Sequence, residues 1–249
     1  MMNLQYIDNR LMINTQQNLL HERLISDPFV FNPVVDFDAK TDNLIKLDFT
    51  KKNNELALID VADTDLFSVY VEDKLKKAKA KFGIGGYNEV RQLYSRSEVF
   101  NTSTEEPRRL HLGIDIWGEE GTKVYAPLNG IVHSYAFNDN FGDYGATIIL
   151  KHELQDVSFY TLYGHLSLAH INSLSVNQAI TKGDVVAHFG KPAENGNWPP
   201  HLHFQIINDI EGYTGDYPGV CKESESEKYL SNCPDPDLIL NMMQYAKSS

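Results

Sequence analysis

From residue 110 to residue 207 the chain runs in short apolar–polar alternations separated by glycine, at residues 124–132, 146–150, 159–162, 185–189 and 202–207. A period of two belongs to extended chain with one buried face, and glycine between such runs marks turns. This stretch therefore predicts an all-β domain. Upstream the pattern differs. Phe67, Val71, Leu75, Ala78 and Phe82 recur at helical spacing, which predicts a helix over residues 65–82 with one apolar face, closed by Gly83. Asp63 and Asp65 stand at its start and lysines from Lys74 to Lys81 fill its second half, matching the helix dipole, so the lysine run reads as a solvated face.

A polar stretch at 95–109, containing Glu105-Glu106-Pro107, reads as a connector. The expected organisation is a smaller N-terminal α/β region at 1–106, a mainly β domain at 107–210, and an acidic, turn-rich tail at 211–249 with a short terminal helix near residues 238–243. The hydrophobic share of 42% is ample for a packed core, while 34 acidic against 22 basic residues give a net charge of -12. That charge disfavours nucleic acid and anionic membrane surfaces as partners. No run approaches the ~20 apolar residues that span a bilayer, and the first residues lack the basic head and apolar run of a secretory leader, so a cytoplasmic location is expected. Cys221 and Cys233 read as two free thiols of a reducing compartment, with a single bridge as the alternative.

Chemistry concentrates in three segments. At residues 110–117 the period of two sets His111, Gly113 and Asp115 on one face and Leu112, Ile114 and Ile116 on the other. In a fully extended strand the α-carbons of His111 and Asp115 would lie about 13 Å apart. Joint metal ligation therefore needs convergent side chains or a bend, and Gly113 permits both. At 201–206, His201 and His203 share one face opposite Leu202, Phe204 and Ile206, and the strand at 159–166 delivers His165 just after Gly164. Two imidazoles and a carboxylate are a normal zinc set that leaves a fourth tetrahedral position for water. His21, His133, His152, His170 and His188 have no such partners in sequence and read as structural. The chain contains no H-E-x-x-H helix, G-x-S-x-G elbow or Walker loop.

Five motifs in order carry a family resemblance: H-L-G-I-D at 111–115, A-P-L-N-G-I-V at 126–132, Y-G-H-L at 163–166, K-G-D-V-V at 182–186 and P-H-L-H-F at 200–204. Residues 110–207 resemble the lysostaphin/LytM-type zinc metallopeptidases. The resemblance implies an antiparallel, sandwich-like fold of the duplicated hybrid-motif kind with an open groove. It also implies zinc-dependent endopeptidase action on peptide substrates, often next to glycine in cell-wall peptides. Carried over position by position, it makes His111, Asp115 and His203 the zinc ligands, and His165 and His201 the catalytic proton carriers and oxyanion stabilisers. The approach to the last motif, residues 194–200, is bulkier and stiffer than the glycine- and serine-rich approach of many members, which bears on substrate width. Residues 85–94 followed by this domain also resemble the metallopeptidase-like central part of some large aminotransferase fusion proteins, which lack secretion signals. A non-catalytic peptide-binding or regulatory domain on the same fold is the alternative, although all five positions that degenerate members should lose are filled. A lipoyl- or phosphohistidine-type carrier domain shares the glycine-turn pattern but leaves His111, Asp115 and His203 unexplained. The N-terminal region is expected either to restrain access to the groove or to pack away from it.

Overall fold

The structure is a computed structural model that describes residues 19–26, 30–101 and 105–248. After a helical segment at residues 19–26, the chain forms strand β1 (Leu44–Lys46), helix α1 (Thr64–Ala78) and strands β2 (Phe82–Gly85) and β3 (Glu89–Val90). After two 3-10 turns, Leu93–Arg96 and Glu98–Phe100, come β4 (Leu110–His111), β5 (Ile114–Trp117), β6 (Lys123–Tyr125), β7 (Gly130–Asn138), β8 (Gly145–Leu154) and β9 (Val157–Leu166). Helix α2 (Leu168–Ile171), β10 (Ala179–Ile180), β11 (Val185–His188) and β12 (His201–Ile207) follow. The last elements are β13 (Val220–Cys221), helices α3 (Ser226–Asn232) and α4 (Asp237–Leu240), and β14 (Ala246–Ser248).

A nine-stranded sheet in the order β10-β7-β8-β9-β12-β5-β2-β1-β14 is the frame, flanked by the small sheets β11-β6 and β13-β4-β3. Its pairings are antiparallel except where β1 runs parallel to β2 and to β14. The alternation of the sequence sorts its residues between two cores. Ile114, Ile116, Ile148, Leu150, Leu202, Phe204 and Ile206 face one core, which Val124, Val186 and Phe189 of the small β11-β6 sheet complete. Ile149, Leu162 and Ile207 face the other, with Leu110, Leu112, Tyr217 and both cysteines. Each fully buried aliphatic or aromatic side chain contributes about 1.5–3 kcal/mol, so the sheet is held from both sides.

Several expectations change in detail. Helix α1 begins where expected, because the Asp63 side chain accepts hydrogen bonds from the backbone N–H of Asp65 and Leu66. It ends at Ala78, four residues early, where Lys79 turns left-handed at φ 49°. Phe82 fits the helical period, but Phe82–Gly85 leaves the helix to pair with β1 and β5, so strand pairing wins over the local pattern. The expected single strand at 124–132 divides into β6 and β7, and that at 110–117 breaks after His111.

The sheet also crosses the boundary expected after residue 106, since β2 lies directly against β5. Residues 211–249 do more than trail: Ile239, Leu240 and Met242 are buried, the helical part is Asp237–Leu240, and β14 forms an edge of the large sheet. Cys221 and Cys233 are buried free thiols. Among the described residues no helix is long and apolar enough to cross a membrane.

Candidate active site

Register places most of the site before any side chain is considered. β12 lies between β5 and β9, with His203 directly opposite Asp115 on one side and Gly164 on the other, and with His201 opposite Trp117. Asp115, Trp117, His201 and His203 therefore share one sheet face, while Ile114, Ile116, Leu202 and Phe204 take the other.

His111 reaches the same place by a different route. The chain breaks at Leu112-Gly113, and His111 sits on β4 in the three-stranded sheet. This bend brings together residues that a straight strand would hold apart. A Cβ on Gly113 would lie 2.5 Å from the His203 ring, so the close approach requires glycine there.

The three donor atoms form a near-equilateral triangle. His111 Nε2 is 3.0 Å from His203 Nδ1 and 3.2 Å from Asp115 Oδ1, and His203 Nδ1 is 3.0 Å from that same oxygen. The far side of each imidazole fixes its tautomer. His111 Nδ1 donates to the Gly86 carbonyl at 3.0 Å, and His203 Nε2 donates to Gln205 Oε1 at 2.9 Å. Gln205 is oriented in turn by donating its amide to Pro218 O and Cys233 Sγ, each at 3.2 Å. With both outer nitrogens donating, the inner nitrogens are free to turn lone pairs toward the carboxylate oxygen. Three electron pairs with no proton between them repel one another, so the arrangement calls for a cation. Tetrahedral ligands at about 2.0–2.1 Å from zinc would stand about 3.4 Å apart, close to the triangle seen. His111, Asp115 and His203 could thus hold a metal ion.

The second carboxylate oxygen is also occupied. Arg91 Nη1 donates to Asp115 Oδ2, while its Nε donates to Glu89 at 2.8 Å and Nη1 also reaches the Tyr94 hydroxyl at 3.3 Å. Burial alone would raise the Asp115 pKa, but the adjacent Arg91 guanidinium outweighs it and holds the carboxyl well below its ordinary range. Burial, helped by Arg91, pushes His111 down to about 4, which keeps that imidazole neutral. Residues 86–94, upstream of every family motif, therefore supply the outer partners of two of the three donors.

His165 and His201 stand beside the triangle, stacked with ring centroids 4.0 Å apart. Trp117 stacks on the opposite face of His201 at 3.8 Å and 11°. Each histidine donates Nδ1–H to a backbone carbonyl at 2.8 Å, His165 to Asn195 and His201 to Pro199, which leaves Nε2 as the basic nitrogen. Burial lowers both, His201 to about 4 and His165, with His201 beside it, well below its ordinary value.

The His165 backbone is itself unusual. Between the pairs Ala146–Leu166 and Ile148–Tyr163, one residue of β8 opposes two of β9, and His165 in that bulge has φ 63°. Non-glycine residues seldom take such a conformation, and bulges re-aim side chains. The 194–200 approach is fixed by Asn195, whose amide donates to Gly190 O and Trp198 O and whose Oδ1 accepts from Trp198 N.

All five residues singled out in the sequence thus converge. Arg91, Trp117, Tyr144 and Trp198 were not read from it. Tyr144 lies with its ring 5.2 Å from His203 and donates its hydroxyl to Tyr217 O at 3.2 Å. The signal that could have found Trp117 is its period-two spacing from Asp115; Arg91 offered none. Of the remaining histidines, His152 is satisfied at both nitrogens, by Asn129 O and Thr161 Oγ1, and His170 faces His188 at 3.0 Å.

Residues 109–214 match the profile of peptidase family M23. A Haemophilus influenzae protein named as an uncharacterized metalloprotease is 30% identical over 154 residues, which are 58% of this chain and 30% of that protein. The L-Ala--D-Glu endopeptidase of Bacillus subtilis is 28% identical over 108 residues, 41% of this chain and 31% of that one. The chain thus spans less than a third of the length of these two relatives. Among solved structures, the catalytic domain of lysostaphin from Staphylococcus simulans aligns at 17% identity and a TM-score of 0.36, covering 65% of this chain and 97% of that one. Residues 109–214 form a peptidase family M23 domain.

Proposed function

We propose that this domain is a zinc-dependent metallopeptidase in which His111, Asp115 and His203 hold the metal and His165 and His201 carry protons. The observation that supports it most is the triangle of three lone-pair donors, 3.0–3.2 Å on each side, with no hydrogen to share. Zinc bound there would supply Lewis acidity, polarising a peptide carbonyl and making water an effective nucleophile near neutral pH. The protein's own groups do the rest. His165 and His201 keep Nδ1–H on backbone carbonyls, so Nε2 of either can take a proton from the attacking water and return it to the leaving amine. Stacked and buried, the two rings cannot readily both be charged, so the pair handles one proton at a time. Arg91 occupies the outer oxygen of Asp115 and leaves the inner one for the metal.

Endopeptidase action on glycine-containing or cell-wall-derived peptides is the substrate reading that the motif resemblance and the named relatives support. The test is elemental analysis of the purified protein followed by incubation with such peptides. One zinc per chain with cleavage is expected. Zinc without cleavage of any peptide would favour a peptide-binding module on the same fold.

A further inference from the structure

The five residues lie under cover: none of His111, Asp115, His165, His201 and His203 is more than 6% exposed. A partly open cavity of about 200 Å³ reaches Asp115, His165, His201 and His203. That volume is below the roughly 300–1,000 Å³ of pockets that enclose drug-sized ligands. One wall comes from upstream of the M23 domain, with Leu93, Tyr94, Val99 and Phe100; the facing wall includes Tyr144 and Tyr217.

The upstream wall is tied at several points. Tyr94 stacks with Phe100 at 4.7 Å, Asn101 donates to Tyr94 O at 3.1 Å, and the backbone N–H of Arg108 donates to Phe100 O at 3.0 Å. Arg96 lies over the Trp198 ring at 4.4 Å and joins this wall to the 194–200 approach. The facing wall is held by the Tyr144–Tyr217 hydrogen bond and by β13 pairing with β4. An extended peptide of six residues is roughly 20 Å long, more chain than a cavity of about 200 Å³ between these two walls takes up.

From this enclosure we infer that the site takes short peptides of small residues, about two or three long, and that Phe100 sets the length limit. The inference rests on the peptidase reading above and narrows its substrate class. The cavity adjoins the bare nitrogens of His165 and His201, so a peptide bond delivered into it meets the residues proposed to act on it. A longer chain would have to displace Phe100 and its neighbours first.

The test uses the zinc-loaded full chain and a glycine-rich series from tripeptide to decapeptide, with kcat/KM measured for each. The value is expected to fall about tenfold or more between tripeptide and decapeptide. Phe100→Ala should bring decapeptide kcat/KM to within about twofold of the tripeptide value in the same variant, and Val99→Ala serves as a second, milder opening should the first variant fold poorly. Equal cleavage of both lengths by the unaltered protein would overturn the length limit and leave the peptidase reading standing. Absence of cleavage at every length, in all three proteins, would overturn the peptidase reading. Calorimetric binding to the zinc-loaded protein then judges the length limit separately: tripeptide binding well above decapeptide binding supports it, and equal binding overturns it.

Discussion

His152 on β8 and His201 on β12 are both buried strand histidines of the same sheet, and burial pushes both down to about 4. They differ at one nitrogen. His152 is bonded on both sides of its ring, to Asn129 O and Thr161 Oγ1, and its neutral form is locked into the packing. His201 is bonded only through Nδ1, and among the described residues its Nε2 has no hydrogen-bond partner. A perturbed pKa is therefore a poor guide to function by itself in this fold, because burial produces it at both places. The unspent nitrogen, turned toward a cavity beside a potential metal site, is what separates them.

The sharpest way to break the contrast is at the metal triangle. His203→Ala is expected to abolish metal binding and with it all hydrolysis, since only two donors remain; stoichiometric zinc in that variant would remove His203 from the ligand set. His165→Ala and His201→Ala should come next, each keeping zinc while losing roughly 10²–10⁴-fold in kcat. Metal loss in either would make that residue a ligand instead.

His152→Ala should do the reverse. It creates a cavity and strips partners from the Asn129 carbonyl and the buried Thr161 hydroxyl, so the protein is expected to lose roughly 2–4 kcal/mol in a denaturant titration, with kcat of the folded fraction unchanged. A fall in kcat comparable to that of His201→Ala would erase the distinction. The smallest effect concerns pH. His152 is depressed from 6.5 to about 4 in the fold, so the unfolded chain binds a proton before the folded one does. Stability is thus fully present above pH 6.5 and falls as pH drops toward 4, by up to roughly 3 kcal/mol from this group. His152→Gln should flatten that part of the stability curve, and an unchanged slope would mean another group causes it.

Much of the site was legible because a strand's period of two is rigid. Once Asp115, His201 and His203 were placed on strands, their shared face followed, and Gly113 marked the bend that His111 needs. Helix α1 was legible through its cap and its apolar face, yet its end was not, because the pull on the Phe82–Gly85 strand comes from β1 and β5, 38 and 32 residues away in their registered partners. Here Phe82 pairs with Leu44 in β1, and Ile84 pairs with Ile116 in β5. Arg91 and Tyr94 were hidden for the same reason: their value lies wholly in contacts across the fold. The stretch 95–109 looks like a linker by composition, yet its first residues belong to the 3-10 turns Leu93–Arg96 and Glu98–Phe100, and Val99 and Phe100 line the cavity beside the site. The acidic, proline-bearing C-terminal stretch likewise masks a few apolar residues that complete the core.

The bulge at His165 has a consequence for how sequences of this kind can change in length. Between Tyr163 and Leu166 the strand holds one residue more than its neighbour, and that surplus aims His165. Removing one residue there would restore a regular ladder with Tyr163 and Leu166 still on the core face, opposite Ile148 and Ala146, but would abolish the bulge that aims His165. Insertions and deletions should therefore accumulate in connections away from the site, such as residues 172–178, while the spacing from Tyr163 to Leu166 stays fixed, making the count of residues across this segment as diagnostic as their identity.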